Sequence, residues 1–148
     1  IEREGLEMST KAYAGDLDSR QAIELLRNNP RATLVDVRSA PEWDFVGRPD
    51  LSGLGRETVF VSWQDYPGMT RNEGFVAQVR AEGIDPSATV LLLCRSGQRS
   101  MHAAVALTES GYPHCFNISD GFEGPKDADG HRGTVAGWRA SGLPWLQG

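Results

Sequence analysis

Thr89-Val90-Leu91-Leu92-Leu93-Cys94-Arg95-Ser96-Gly97-Gln98-Arg99-Ser100 is the stretch whose reading decides the fold. Val90 to Leu93 are consecutive apolar residues with no polar alternation. A strand covered on both faces has this pattern, as parallel strands of α/β sheets do. The polar loop from Arg95 to Ser100 leads straight into a helical pattern carrying Met101, Ala104, Val105 and Leu107, which Gly111 ends. Strand, short loop and helix in this order are the building unit of a parallel sheet.

The chain on either side repeats the unit. Asp18 reads as a helix N-cap with Gln21 completing the box and Leu17 and Ala22 stapling the first turn. Ala22, Ile23, Leu25 and Leu26 give that helix its apolar face before Asn28-Asn29-Pro30 stops it. Thr33-Leu34-Val35-Asp36-Val37 and Val59-Phe60-Val61-Ser62-Trp63 read as strands, and Tyr112 to Ile118 as another. Asn72 caps a helix carrying Phe75, Val76 and Val79 that Gly83 closes, and Thr134 to Ser141 is predicted as a last helix, closed by Gly142 with Pro144 beyond. Residues 1–11 are polar and weakly periodic and are expected to form an N-terminal arm ahead of a domain over 12–148. The expected fold is α/β in three layers, with a central, mostly parallel sheet of about five strands and helices on both faces.

At 148 residues the chain suits one domain. Its 20 acidic against 15 basic side chains give a net charge of −5, which argues against nucleic acid or an anionic membrane as partner. No apolar run of about 18 residues is present to span a bilayer. Two cysteines cannot make a disulfide framework, so a reducing, cytoplasmic setting is expected. His102, His114 and His131 share no metal-ligand spacing, so neither a metal nor another cofactor is expected.

Cys94 occupies a chemically special place. It ends the most apolar strand and precedes a helix, and ligands of open α/β sheets bind at the carboxyl ends of strands. A helix N-terminus there offers unpaired N–H groups and the positive end of the dipole. Arg95 and Arg99 add two cations, and Gly97 permits the positive φ that curls a short loop inward. Each effect favours the nucleophilic thiolate over the thiol. A cysteine serving only as a small core residue would have no need of two flanking arginines.

Cys94-Arg95-Ser96-Gly97-Gln98-Arg99-Ser100 resembles the active-site loop of the rhodanese (sulfurtransferase) domain. Leu34-Val35-Asp36-Val37-Arg38 with Glu42-Trp43 resembles that family's first segment, and Gly137-Trp138-Arg139-Ala140-Ser141-Gly142-Leu143-Pro144 its closing one, in the family's order. The resemblance implies a rhodanese-like fold and transfer of a sulfane sulfur through a Cys94 persulfide. The donor would be thiosulfate or a persulfide, and the acceptor cyanide, a thiol or a protein persulfide carrier. The amides of Arg95 to Ser100 would stabilise the persulfide anion, and Arg95 and Arg99 would hold an anionic donor. The rivals are a cysteine phosphatase or arsenate reductase, and a non-catalytic module that binds partners. Phosphatases separate Cys and Arg by five residues, whereas only Arg95, Ser96, Gly97 and Gln98 lie between Cys94 and Arg99, a tighter cradle suited to one sulfur atom.

The chain departs from the family at Val46-Gly47-Arg48-Pro49-Asp50-Leu51, where the usual histidine is missing. Gln64 to Arg71 and Glu123 to Ala136 look longer than the family minimum; they either wall the pocket and restrict what enters it or are solvated surface loops, as polar Gly/Pro/Asp stretches usually are. Asp36 and Arg38 are expected to form an ion pair that supports the site. Cys115, in His114-Cys115-Phe116-Asn117-Ile118, reads as core.

Overall fold

The computed structural model describes residues 12–147; the expected arm over 1–11 lies outside them. Its elements are β1 (Gly15–Leu17), α1 (Ser19–Asn28), β2 (Thr33–Asp36), a π-helical turn (Glu42–Val46), β3 (Arg48–Pro49) and a 3-10 turn (Ser52–Leu54). There follow β4 (Val59–Phe60), β5 (Gln64–Asp65), β6 (Thr70–Arg71), α2 (Phe75–Ala81), β7 (Val90–Leu93), α3 (Gln98–Glu109), β8 (Cys115–Ile118) and β9 (Trp145–Leu146).

The central sheet has five strands in the order β1-β8-β7-β2-β4, and every pairing in it is parallel. Two minor antiparallel pairs, β3 with β9 and β5 with β6, lie outside it. Alternation along the central strands divides the interior into two cores. Val35, Val37, Val90, Leu92 and Cys94 face a core with Phe75 and Val79 of α2 and Ala103, Ala104 and Leu107 of α3. Leu34, Leu91 and Leu93 face the other, with Ala22, Ile23 and Leu26 of α1 and with Phe122 and Trp138. The unbroken apolar run of β7 is therefore explained by cover on both sides.

The α1 cap forms as its sequence requires: the Asp18 carboxylate accepts from the Gln21 amide at 2.8 Å, and the Gln21 side chain accepts from the Asp18 amide at 2.9 Å. The strand expected over Val59 to Trp63 is shorter, at Val59–Phe60, although the Val61 and Trp63 amides still donate to Asp36 and Val37 carbonyls. The helix expected over Thr134 to Ser141 is absent; the segment is a run of bends and turns. Long-range partners outcompete the helical ladder there. The Trp138 amide donates to the Gly121 carbonyl at 2.8 Å and the Trp138 indole N–H to the Pro144 carbonyl at 2.7 Å. These bonds seat the fully buried Trp138 against Phe122 in the α1-side core.

Candidate active site

After β2 the chain runs outward to β4, and after β7 it runs the other way to β8. Connections that diverge from neighbouring strands leave a crevice outside their carboxyl ends, where open α/β sheets bind ligands. Both segments that bound this crevice contribute side chains: Glu42 follows β2, and Cys94 through Arg99 follow β7. The resulting pocket, of about 340 Å³, is lined by Glu42, Gln64, Met69, Cys94, Arg95, Ser96, Gln98 and Arg99.

Cys94 is buried at its base. Its Sγ accepts the Gly97 N–H at 3.1 Å and lies 3.1 Å from Ser100 Oγ. Gly97 has φ +102, and a Cβ there would collide with the Ser119 carbonyl. Gly121 closes the loop from the other side, where a Cβ would lie 2.6 Å from the Ser96 nitrogen. The Cys94 loop is thus clamped by backbone on backbone, a fit that only hydrogen in place of a side chain permits.

Ser100 is buried and donates its hydroxyl hydrogen to Asn117 Oδ1 at 2.5 Å. The Asn117 amide cannot turn over without loss, because its Nδ2 donates to the Asp16 carboxylate at 3.1 Å and to the Gly97 carbonyl at 3.2 Å. A hydroxyl has one hydrogen, so while Asn117 holds it Ser100 offers Cys94 a lone pair and the thiol donates. Asn117 was missed from sequence; the available signal was a lone amide inside the apolar strand β8, where a buried polar group must be partnered.

The two arginines differ. Arg95 is exposed at the pocket. Arg99 lines it, but its fork is taken by Glu42, with Nη1 to Oε1 at 2.7 Å and Nη2 to Oε2 at 2.9 Å. The pair of cations expected from sequence is therefore one open cation and one neutralised by a carboxylate. Burial raises the Glu42 pKa, but the Arg99 guanidinium and the Ser39 hydroxyl and amide outweigh it and hold the carboxyl at about 2. A carboxyl lowered on folding stabilises the fold above its ordinary pKa near 4.5, and that stability is lost as pH falls toward 2. Glu42→Gln should accordingly cost on the order of 2 kcal/mol at pH 7 and much less at pH 3 by urea denaturation. An equal cost at both pH values would contradict the pairing.

Asp36 and Arg38 form the expected ion pair beneath the site, both fully buried, with Arg38 Nη2 at 2.7 Å from Asp36 Oδ2. Arg38 also donates to the Gly47 carbonyl at 2.8 Å and lies over the Phe122 ring. Neither side chain lines the pocket. Of the two long segments, 64–71 walls it through Gln64 and Met69, whereas none of 123–136 lines it. That segment instead buttresses the loop: the Glu123 and Gly124 amides donate to the Arg95 carbonyl at 3.0 and 3.1 Å.

Cys115 faces Val90 across the parallel β7–β8 register. Cys94 is four residues further along, roughly 13 Å at the rise of a strand, well beyond disulfide reach. Burial pushes the Cys115 thiol up to about 12, only partly offset by a hydrogen bond from Thr108. His102 is exposed on α3. Among the described residues no cluster of His, Cys, Asp or Glu could hold a metal ion, and no helix is long and apolar enough to cross a membrane.

A crystal structure of Rv0390 from M. tuberculosis is 54% identical, superimposes with a TM-score of 0.85, and matches 92% of this chain and 99% of its own. The solution structure of the polysulfide-sulfur transferase homodimer from Wolinella succinogenes is 25% identical with a TM-score of 0.61, over 93% of this chain and 80% of that one. Rhodanese-like domain-containing protein 4 of Arabidopsis thaliana is 28% identical over 132 residues, which cover 87% of this chain and 25% of that longer protein. The family model of the STR4 middle domain matches residues 15–148. With its five-stranded parallel sheet and helices on both faces, the chain belongs to the STR4 middle-domain family and has the rhodanese-like fold.

Proposed function

We propose that the protein is a sulfurtransferase that carries a sulfane sulfur as a Cys94 persulfide. The observation that carries this reading is the Cys94 sulfur itself, placed at the base of a pocket, with the Gly97 amide and Ser100 hydroxyl both 3.1 Å away. The Gly97 N–H is fixed before reaction and stabilises charge on sulfur without reorganisation, and the Ser100 hydroxyl beside it adds a second donor by turning from Asn117. With thiosulfate the first half-reaction is Cys94–S⁻ + S–SO₃²⁻ → Cys94–S–S⁻ + SO₃²⁻: the thiolate attacks the outer sulfur, the donor S–S bond breaks and sulfite leaves with the electron pair. Cyanide completes the cycle as Cys94–S–S⁻ + CN⁻ → Cys94–S⁻ + SCN⁻. A thiol acceptor takes the same sulfur as a persulfide.

The charge around the pocket supports sulfur over phosphorus. A phosphatase of this plan would clasp the phosphoryl oxygens with the loop arginine, but both ends of the Arg99 fork are engaged by Glu42. The likeness to a polysulfide-sulfur transferase supports the same choice.

A covalent intermediate formed and consumed in separate steps requires ping-pong kinetics. Initial rates of thiocyanate formation, with thiosulfate and cyanide both varied, should give parallel double-reciprocal lines. Turnover of an aryl phosphate with no thiocyanate formed would make the phosphatase reading correct. Activity in neither assay across thiosulfate, polysulfide and cysteine persulfide donors would make the chain a binding module.

A further inference from the structure

Beside the Cys94 pocket lies a second cleft of about 470 Å³, whose lining includes Trp43, Asp44, Phe45, Gln64, Asp65 and Tyr66. Gln64 lines both cavities, so the two adjoin at that residue. Phe45 is 75% exposed and Tyr66 64%, although both belong to segments held in place. Phe45 sits in the π-helical turn after β2, and its carbonyl accepts from Gln147 Nε2 at 2.7 Å. Tyr66 follows β5 in the paired β5–β6 segment. The aromatic rim is thus presented to solvent on fixed backbone.

The charge of the cleft is one-sided. Asp44 and Asp65 line it, and no Lys or Arg does. The Asp65 carboxylate is oriented by the Ser62 hydroxyl at 2.7 Å. Aromatic faces with carboxylates between them suit a cationic side chain, which gains ring-quadrupole and Coulomb attraction together. The Cys94 pocket next to it carries its open cation, Arg95, and the Glu42–Arg99 pair.

We infer that the 43–66 cleft is a docking subsite for a lysine or arginine side chain of a peptide or protein thiol, seated so that the partner's sulfur reaches Cys94. The inference rests on the sulfur-transfer reading and names its acceptor class. Lys or Arg of the partner enters between Phe45 and Tyr66 against Asp44 and Asp65, and the partner cysteine occupies the Cys94 pocket beyond Gln64. The transfer is RSH + Cys94–S–SH → RS–SH + Cys94–SH. The partner sulfur bonds to the outer sulfur, the bond to Cys94 Sγ breaks, a proton passes to Cys94, and nothing is oxidised overall.

The test has a binding arm and a transfer arm. For binding, the Cys94→Ser protein is titrated with fluorescein-labelled peptides bearing one cysteine and a lysine two, three or four residues from it, and with their Lys→Glu counterparts, at 0.15 M salt. At least one lysine peptide should bind tenfold or more tighter than its glutamate counterpart. In the Asp44→Asn/Asp65→Asn protein that preference should fall below threefold, and Phe45→Ala should weaken the lysine peptide fivefold or more. Equal affinity for lysine and glutamate peptides, or a preference that survives Asp44→Asn/Asp65→Asn, would overturn the subsite. For transfer, persulfide-loaded wild-type protein should pass sulfur to the lysine peptide tenfold faster than to the glutamate peptide. Asp44→Asn/Asp65→Asn should abolish that difference while leaving the rate with cyanide within twofold. Selective binding with no sulfur passed to peptide or cyanide would refute the sulfur-transfer reading and leave a cationic-peptide subsite. Sulfur passed to cyanide with no peptide selectivity would refute the subsite alone.

Discussion

Cys94→Ser is expected to lower thiocyanate formation by at least about a thousandfold, because a serine hydroxyl is neither ionised near neutral pH nor able to carry a sulfane sulfur. Cys115→Ser is expected to keep about half of the activity or more. The contrast follows from the two environments. The Cys94 sulfur receives the Gly97 amide and touches the Ser100 hydroxyl at the base of a pocket. Cys115 is sealed in the core against Val90, its thiol pushed up to about 12 by burial and its Sγ facing the Tyr112 carbonyl at 3.4 Å. Steady-state rates of the two variants, each shown folded by circular dichroism, make the measurement. Equal losses would place Cys115 in the chemistry and contradict the register that keeps the two sulfurs apart.

Arg38→Met is expected to be the most damaging single change to stability away from the nucleophile, at about 3–5 kcal/mol. The substitution removes the guanidinium that pairs with Asp36 through contacts of 2.7 and 2.9 Å and leaves that carboxylate fully buried. It also strips the Gly47 carbonyl of its donor and Phe122 of the cation above its ring. The cost is the penalty of an unpaired buried charge, so removing both charges should be far milder. Asp36→Leu with Arg38→Met is expected to recover more than half of the loss, because apolar replacement of a buried pair is often close to neutral. Urea midpoints of the single and double variants decide this. A single variant within about 1 kcal/mol of wild type would show the pair to be solvated after all.

Much of this was legible in the chain. The four apolar residues of β7 announced a strand buried on both faces, and the two cores that its alternate residues serve are the reason. Asp18 and Gln21 announced the α1 cap because capping is local chemistry. The helix predicted from Thr134 onward failed for the opposite reason. Its residues have helical spacing, but the Trp138 amide bonds to the Gly121 carbonyl, a partner outside any local pattern, and its indole to Pro144 beyond the segment. The site divided the same way. Cys94, Gly97 and Ser100 come together because they share one loop and the first turn of α3. Glu42 enters from beyond β2 and Asn117 from β8, so their meeting with Arg99 and Ser100 depends on strand order. Charge at Arg99 was readable, but its neutralisation was not, since a side chain 57 residues away supplies the carboxylate.

The central claim is that Cys94 carries the sulfur, and intact-protein mass spectrometry tests it most directly. After incubation with thiosulfate or a polysulfide and removal of the donor, the protein should gain about 32 Da, one sulfur atom, located on Cys94 by peptide mapping. Addition of cyanide should return the mass to its starting value with stoichiometric thiocyanate. A protein that gains no mass from either donor, or whose added sulfur maps to Cys115, would contradict the account.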